Sequence, residues 1–463
     1  MDGHSPDHDG AWPTDIFYSI FEGKWTDTIN NIKSNNPRIN NLPSDGKFDQ
    51  LIIPADAKLQ TGRVDFFKLN SIKKSEIDLL KNYLNKNDKF RNHKIEIKDS
   101  AIINDYFGLD YKEGFAANGW MNFSSILSFN NISTEQLRYA SRNNNYLFAY
   151  ACGAGSYNSV SQSLYTDDLD SVKYRVAFTM LFGSYNGDWD SEDNVLRASL
   201  ASEPLGLATM WAGRPYWFLH HLGLGYNIGY SALLSQNSRA DIYLANSPFA
   251  RRFNHISLLG DPSLRSHYPS SVDTVIAVNN NGIIEVEWND SLKNVNDVYN
   301  IYRSNSKHGK YSLLSDNFTD SMNFKDSLPM PGVNYYMVRR QIRQTTASGS
   351  YYNLSTGKIS NPVFSPKLND NEYIRIFPNP AFDIINIAFD FQHIGLFDDM
   401  QLYDISGRLI RKYSANEIQI EYNIASIKII DGIEDSLPSG VYFLRINFDD
   451  RTMIKKVILI KQN

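Results

Sequence analysis

Three uninterrupted apolar runs organise the first half of the chain: Tyr146–Cys152 (YLFAYAC), Val176–Phe182 (VAFTMLF) and Leu205–Trp211 (LGLATMW). Each is followed closely by a glycine, at Gly153, Gly183 and Gly213. A run with no polar alternation suits a strand buried on both faces, as in a parallel sheet. Between such runs lie stretches of helical spacing. Over residues 75–84 the pattern predicts a helix with Ser75 as N-cap and Ile77, Leu80, Tyr83 and Leu84 on its apolar face. Residues Trp217 to Leu234 also read as helical, interrupted by Gly223, Gly225 and Gly229. Buried strands alternating with helices predict a doubly wound α/β domain over residues 1–268. In such sheets ligands bind at the carboxyl ends of strands, where Cys152, Ser184 and Arg214 fall.

The pattern changes after residue 270. Ile284, Val286 and Trp288 alternate with Glu285 and Glu287, the period-2 signature of a half-exposed strand. Residues 298–303 and 334–339 read as two more. An immunoglobulin-like or fibronectin-like sandwich is therefore expected over 271–362. Residues 372–463 are again short strands separated by Pro and Gly turns, closing on the charged strand Lys455-Lys456-Val-Ile-Leu-Ile-Lys461.

Composition narrows the functions. The 463 residues include one Cys, which excludes an internal disulfide framework and any multi-Cys zinc site. A net charge of −5 argues against a nucleic-acid binder. No apolar stretch approaches the ~18 residues of a membrane-spanning helix. The opening MDGHSPDHDG lacks the basic and apolar regions of a secretory signal. Its Asp2, His4, Asp7, His8 and Asp9, and the turn Asp45-Gly-Lys-Phe-Asp49, are acidic clusters. They read as solvated turns first and as structural Ca²⁺ sites second, with no defined metal site and no organic cofactor.

The C-terminal region carries four ordered motifs: Phe377-Pro-Asn-Pro380, Tyr403-Asp404…Gly407-Arg408, Leu437-Pro-Ser-Gly-Val-Tyr442 and the Lys455-Lys456 tail. Together they resemble the sorting domain of type IX secretion cargo. The resemblance implies that residues 372–463 engage the type IX machinery, and that the protein is secreted or held at the outer-membrane surface of a Gram-negative bacterium. It also implies an N-terminal Sec signal, so the chain is expected to be truncated at its start.

Cys152 follows a buried strand and precedes a Gly-rich turn. That placement suits a nucleophile with Gly153 N–H as oxyanion donor. It equally suits a small buried hydrophobe. Three segments resemble the gingipain-type cysteine peptidases, whose catalytic domain is caspase-like: Tyr150-Ala-Cys-Gly-Ala-Gly155, Met180-Leu-Phe-Gly-Ser-Tyr-Asn-Gly-Asp-Trp189 and Leu258-Leu-Gly-Asp-Pro-Ser-Leu-Arg265. Asp15-Ile-Phe-Tyr18 and Gly62-Arg-Val-Asp65 are similar to the preceding half-domain. The resemblance implies a cysteine endopeptidase cleaving peptides or proteins, with Asp188, Trp189, Asp190 and Arg214 in a cleft that favours basic side chains. A solvated acidic loop is the alternative for those residues. The family's Gly-His-Gly turn is missing; Asn118 stands in its place. His220 and His221 are the substitute bases to consider, against a role as histidines packed among aromatics. Without a cationic partner a thiol stays near pKa ~8.5. Two functions follow: a peptidase relative of atypical or lost activity, or a non-catalytic adhesin on the same fold.

Overall fold

The computed structural model describes residues 10–108, 114–212, 216–239, 252–280, 282–314, 319–365, 374–389, 397–414, 417–421, 424–429, 437–448 and 452–460. By contacts the chain divides into two compact units. The first runs to Ser271 and takes in Asn294–Asp297 and Arg340–Thr356. The second holds Val272–Lys293, Val298–Arg339 and the chain from Gly357 onward.

The first unit is built on a six-stranded sheet: β1 (Lys98–Asp105), β2 (Ile132–Ser133), β3 (Tyr146–Cys152), β4 (Val176–Phe182), β5 (Ala208–Trp211) and β6 (Leu258–Gly260). The spatial order is β2-β1-β3-β4-β5-β6, parallel except for β6. All seven residues of β3 and of β4 are buried, as their unbroken apolar runs require. Four longer helices flank the sheet or bridge its strands in sequence, α1 (Glu76–Arg91), α2 (Ala117–Ile126), α3 (Val195–Ala201) and α4 (Ile228–Asn237), and a single helical turn, Leu137–Ala140, lies between β2 and β3. Trp217 to Leu234 is therefore not one helix. A 3₁₀ turn at His220–Leu224 ends at Gly225, whose φ of 84° is left-handed, before α4 begins.

Helix α1 starts where expected: the Ser75 hydroxyl accepts from Asp78 N–H. Its buried face differs. Leu79, Tyr83, Lys86, Asn87 and Phe90 are buried, whereas Ile77, Leu80 and Leu84 are exposed. The reason is Lys86, whose ammonium donates to the carbonyls of Leu200, Ser202 and Leu205 at 2.6, 2.7 and 2.9 Å. Three carbonyls match the three donors of an ammonium, so a charged residue takes an interior position that apolar counting assigns elsewhere.

The Gly-Asp-Pro-Ser segment after β5 and α4 has a structural task. Tyr83 O–H accepts from Asp261 N–H at 2.6 Å, and the Asp261 carboxylate accepts from Arg91 and Asn87 of α1. A side chain at Gly260, with φ 125°, would lie 2.4 Å from the Leu207 carbonyl. The segment thus locks the edge strand to α1.

In the second unit, Thr274–Asn280, Ile283–Asn289 and Asn323–Asp326 form one antiparallel sheet, over which Ile284, Val286 and Trp288 face inward. The unit also holds the strand Val298–Ser304 and the stretch 332–339 of a longer strand. Trp288 meets Tyr299 edge to face at 5.3 Å. The C-terminal strands form two four-stranded sheets around Ile385, Ile387, Met400, Leu402, Leu444 and Ile446.

The recurring motifs of this tail each have a local cause. Asp404 accepts from the backbone N–H groups of Ser406 and Arg408, which closes the Gly407 turn. Tyr442 O–H donates to the Pro438 carbonyl. Asn379, between two prolines, bonds Lys456 O and Ile458 N–H, so its amide pairs with the outermost strand, Thr452–Leu459, as another peptide would. An edge strand so occupied is blunted against foreign pairing.

Candidate functional site

The sheet order places the topological switch point between β1 and β3, where a ligand crevice is expected at the strands' carboxyl ends. Parallel register sets Asp105, the last residue of β1, opposite Cys152, the last of β3, and Cys152 opposite Phe182 of β4. Cys152 thus stands at the carboxyl end of a buried parallel strand. Its neighbour is a carboxylate, not an imidazole or a cation. Cys152 Sγ donates to Asp105 Oδ1 at 3.0 Å. Burial, and then the Asp105 carboxylate, push the thiol well above its usual range. The N–H groups of Phe107 and Tyr106 pull the other way and are outweighed. Cys152 itself is fully buried.

Gly153 does not serve as an oxyanion donor in this arrangement, because its N–H is bonded to the Phe182 carbonyl at 3.1 Å. The Gly-rich turn has a packing cause instead. A Cβ at Gly155 would sit 2.6 Å from the Gly183 backbone, so two chains cross there at glycine distance. Over the strand ends Phe107, Phe115 and Phe182 form a ring cluster, with centroids 4.7–6.0 Å apart.

Asn118 is not in a loop but in α2, fully buried. Its amide donates to Trp217 O at 2.9 Å and accepts from Trp217 N–H at 3.1 Å, a clasp between two segments. His220 and His221 lie in the 3₁₀ turn with rings 4.2 Å apart. The His221 ring packs on Tyr226 and Tyr230. Burial lowers both pKa values, and at His220 the neighbouring His221 adds to it. His255 packs among Trp12, Trp211 and Phe253. Arg214 lies outside the described residues, as do Asp2, His4, Asp7, His8 and Asp9.

The acidic patch is not a solvated loop. Asp188 is fully buried, and Arg38 pairs with it and, at 2.5 Å, with Asp190. Trp189 is buried beneath Arg63, whose guanidinium carbon is 4.4 Å from the ring centroid. Arg63 also forms a two-pronged bond to Asp15 at 2.8 and 2.5 Å. The groups expected to receive a substrate's basic side chain thus hold two of the chain's own arginines. Asp45 and Asp49 are likewise engaged by backbone N–H groups, those of Leu42 and Lys47 and of Thr28, Ile29 and Asn30. Among the described residues no cluster of three His, Cys, Asp or Glu could hold a metal.

Comparison with known proteins addresses the tail. Residues 375–461 match the family described as "Secretion system C-terminal sorting domain". The tail is an export address. The protein is therefore directed to the cell surface or beyond it, and the sorting domain is its point of engagement with the secretion machinery. No curated protein matches the chain. Solved structures similar to parts of it include an Fn3-like protein from Clostridium thermocellum, at 21% identity over 22% of this chain and 99% of that one, TM-score 0.16. Another is PorZ, a surface component of the type IX secretion system of Porphyromonas gingivalis, at 17% identity over 27% and 15%, TM-score 0.15. A third comprises the FN1–FN3 domains of chicken CNTN1, at 12% over 43% and 73%, TM-score 0.15.

Proposed function

We propose that the protein is an exported binding protein of the Gram-negative cell surface. In this reading its α/β domain keeps a gingipain-like, caspase-type architecture as a scaffold without peptidase activity, and an immunoglobulin- or fibronectin-like sandwich links that domain to the sorting tail. The observation that carries it is the pairing of Cys152 with Asp105. A nucleophilic thiol needs a cationic neighbour or an imidazole to take its proton, and an anionic carboxylate at 3.0 Å favours the proton on sulfur instead. The Gly153 N–H bonded to Phe182 and the acidic residues closed by Arg38 support the same reading.

The test is a library of peptides with basic residues before the scissile bond, incubated with the full chain and with Cys152→Ser. Equal, background-level hydrolysis is expected from both. Hydrolysis by the parent protein that disappears in Cys152→Ser would overturn the proposal and restore the cysteine endopeptidase.

A further inference from the structure

A cavity of about 480 Å³ opens in the first unit, formed mainly by loops of residues 10–51. Its size falls in the range of small-ligand sites. Five aromatic residues line it, Trp12 and a group of four. Phe17 and Phe48 stack at 4.9 Å, Trp25 lies 5.0 Å from Phe48, and Tyr18 stands edge-on to Phe17. Phe17, Tyr18 and Phe48 are 40%, 65% and 37% exposed, unusually high for rings grouped in one wall.

The wall is built rather than loose. Asp49 gathers the N–H groups of Thr28, Ile29 and Asn30, and Gln50 exchanges two hydrogen bonds with Thr26. Lys47 ties Arg38 O and Asn40 O. Two buried amides of the lining are fixed through their nitrogens: Asn41 to Phe48 O at 3.0 Å and Asn254 to Gln50 O at 2.6 Å. Their Oδ1 atoms, and Trp25 Nε1, are buried without a hydrogen-bond partner. Native interiors rarely leave such groups unmade, and these three belong to side chains that line the cavity.

Charge selects the class. The charged groups of the lining are engaged within the protein: Arg38 with Asp188 and Asp190, Lys47 with the Arg38 and Asn40 carbonyls, and Asp49 with three backbone N–H groups. What remains is aromatic surface interspersed with uncharged polar residues. That combination suits a neutral molecule with an apolar face and many hydroxyls. We infer that this cavity binds a neutral glycan, one or two sugar rings in size, stacked on the Phe17/Tyr18/Phe48 wall. The inference deepens the binding reading above and rests on it.

The experiment is calorimetric titration of the full chain with neutral disaccharides: maltose, cellobiose, mannobiose and N,N′-diacetylchitobiose. Binding of at least one is expected, weakened at least tenfold by Phe17→Ala. Tyr18→Ser, which changes the most exposed ring, should weaken it several-fold while leaving the unfolding temperature unchanged, so that loss of binding is separable from loss of fold. No heat from any disaccharide at affinities tighter than about 10 mM would overturn the inference. Binding that survives both substitutions would do the same. Either result leaves the inert thiol standing, because that is read independently from peptide hydrolysis.

Discussion

Replacing Asp105 by Asn tests the site at its centre. The Asn side chain keeps an Oδ1 acceptor for Phe107 and Gly108 N–H, both at 2.9 Å, so the turn after β1 retains its closure. What is lost is a negative charge 3.0 Å from sulfur. Two unit charges at that separation repel by about 5 kcal/mol at an effective dielectric of ~20 and by about 1.4 kcal/mol in bulk water. The thiol pKa should therefore fall by between roughly one and four units, the remaining elevation belonging to burial. The assay is the rate of alkylation by iodoacetamide between pH ~6 and ~10, a range that brackets the ordinary thiol pKa. With one cysteine in the chain the signal has one source. Burial gates access alike in both proteins, so the ratio of rates isolates the charge. At a pH below both pKa values Asp105→Asn should react at least ~10-fold faster than the parent. Superimposable pH–rate profiles would refute the role given to Asp105. Rapid alkylation of the parent below pH ~7 would refute the protonated thiol altogether.

Arg38→Ala leaves the buried Asp188 carboxylate without its guanidinium and should cost about 3 kcal/mol in urea unfolding at pH 7, whereas Arg38→Lys should cost less. Lys86→Met strands three carbonyls in the interior, and a loss of about 2–4 kcal/mol is expected despite the added apolar surface. A chain ending at residue 371 should fold in its first unit but accumulate inside a type IX-competent host, as fractionation would read. Acid should act through turn carboxylates. At Asp49 a desolvation effect is outweighed by the N–H groups of Thr28, Asn30 and Ile29, which hold its pKa at about 2, and at Asp404 the Ser406 hydroxyl leads in doing the same. Folded values below the unfolded ~4 mean stability that is complete above that pH and lost as pH falls towards ~2. Urea midpoints should fall across that window, and Asp49→Asn should flatten the fall in the first unit.

The strands were legible wherever burial is uniform or strictly alternating. Tyr146–Cys152 and Val176–Phe182 have no charged or amide residue to place on a solvent face, and Ile283–Asn289 sets Glu285, Glu287 and Asn289 alternately with buried apolar residues. The face of α1 was not legible, because Lys86 and Asn87 are interior through bonds to distant carbonyls and carboxylates that no local pattern encodes. The cysteine was located correctly from its strand and glycines, but its partner was missed. A signal existed: Ala101-Ile-Ile-Asn-Asp105 is a short apolar run ending in a carboxylate, and a parallel neighbour would bring that end beside Cys152. The acidic patch misled for a different reason. Arg38 lies 150 residues from Asp188, and only the folded loops bring them together. The aromatic wall is scattered over Phe17, Tyr18, Trp25 and Phe48, with a spacing that matches neither helix nor strand.

The carboxylate beside Cys152 also bears on the journey the sorting tail prescribes. A route out of a bacterium passes through an oxidising compartment, where thiolates attack disulfides and become mixed disulfides. A chain with one exposed, ionised cysteine would leave that compartment cross-linked to a neighbour or capped by a small thiol. Here the sulfur is buried and kept protonated, so it offers oxidants no nucleophile once β1 and β3 have paired. Folding before or during passage is then itself the antioxidant, and the protein reaches the cell exterior with this thiol reduced, without needing a second cysteine to protect the first.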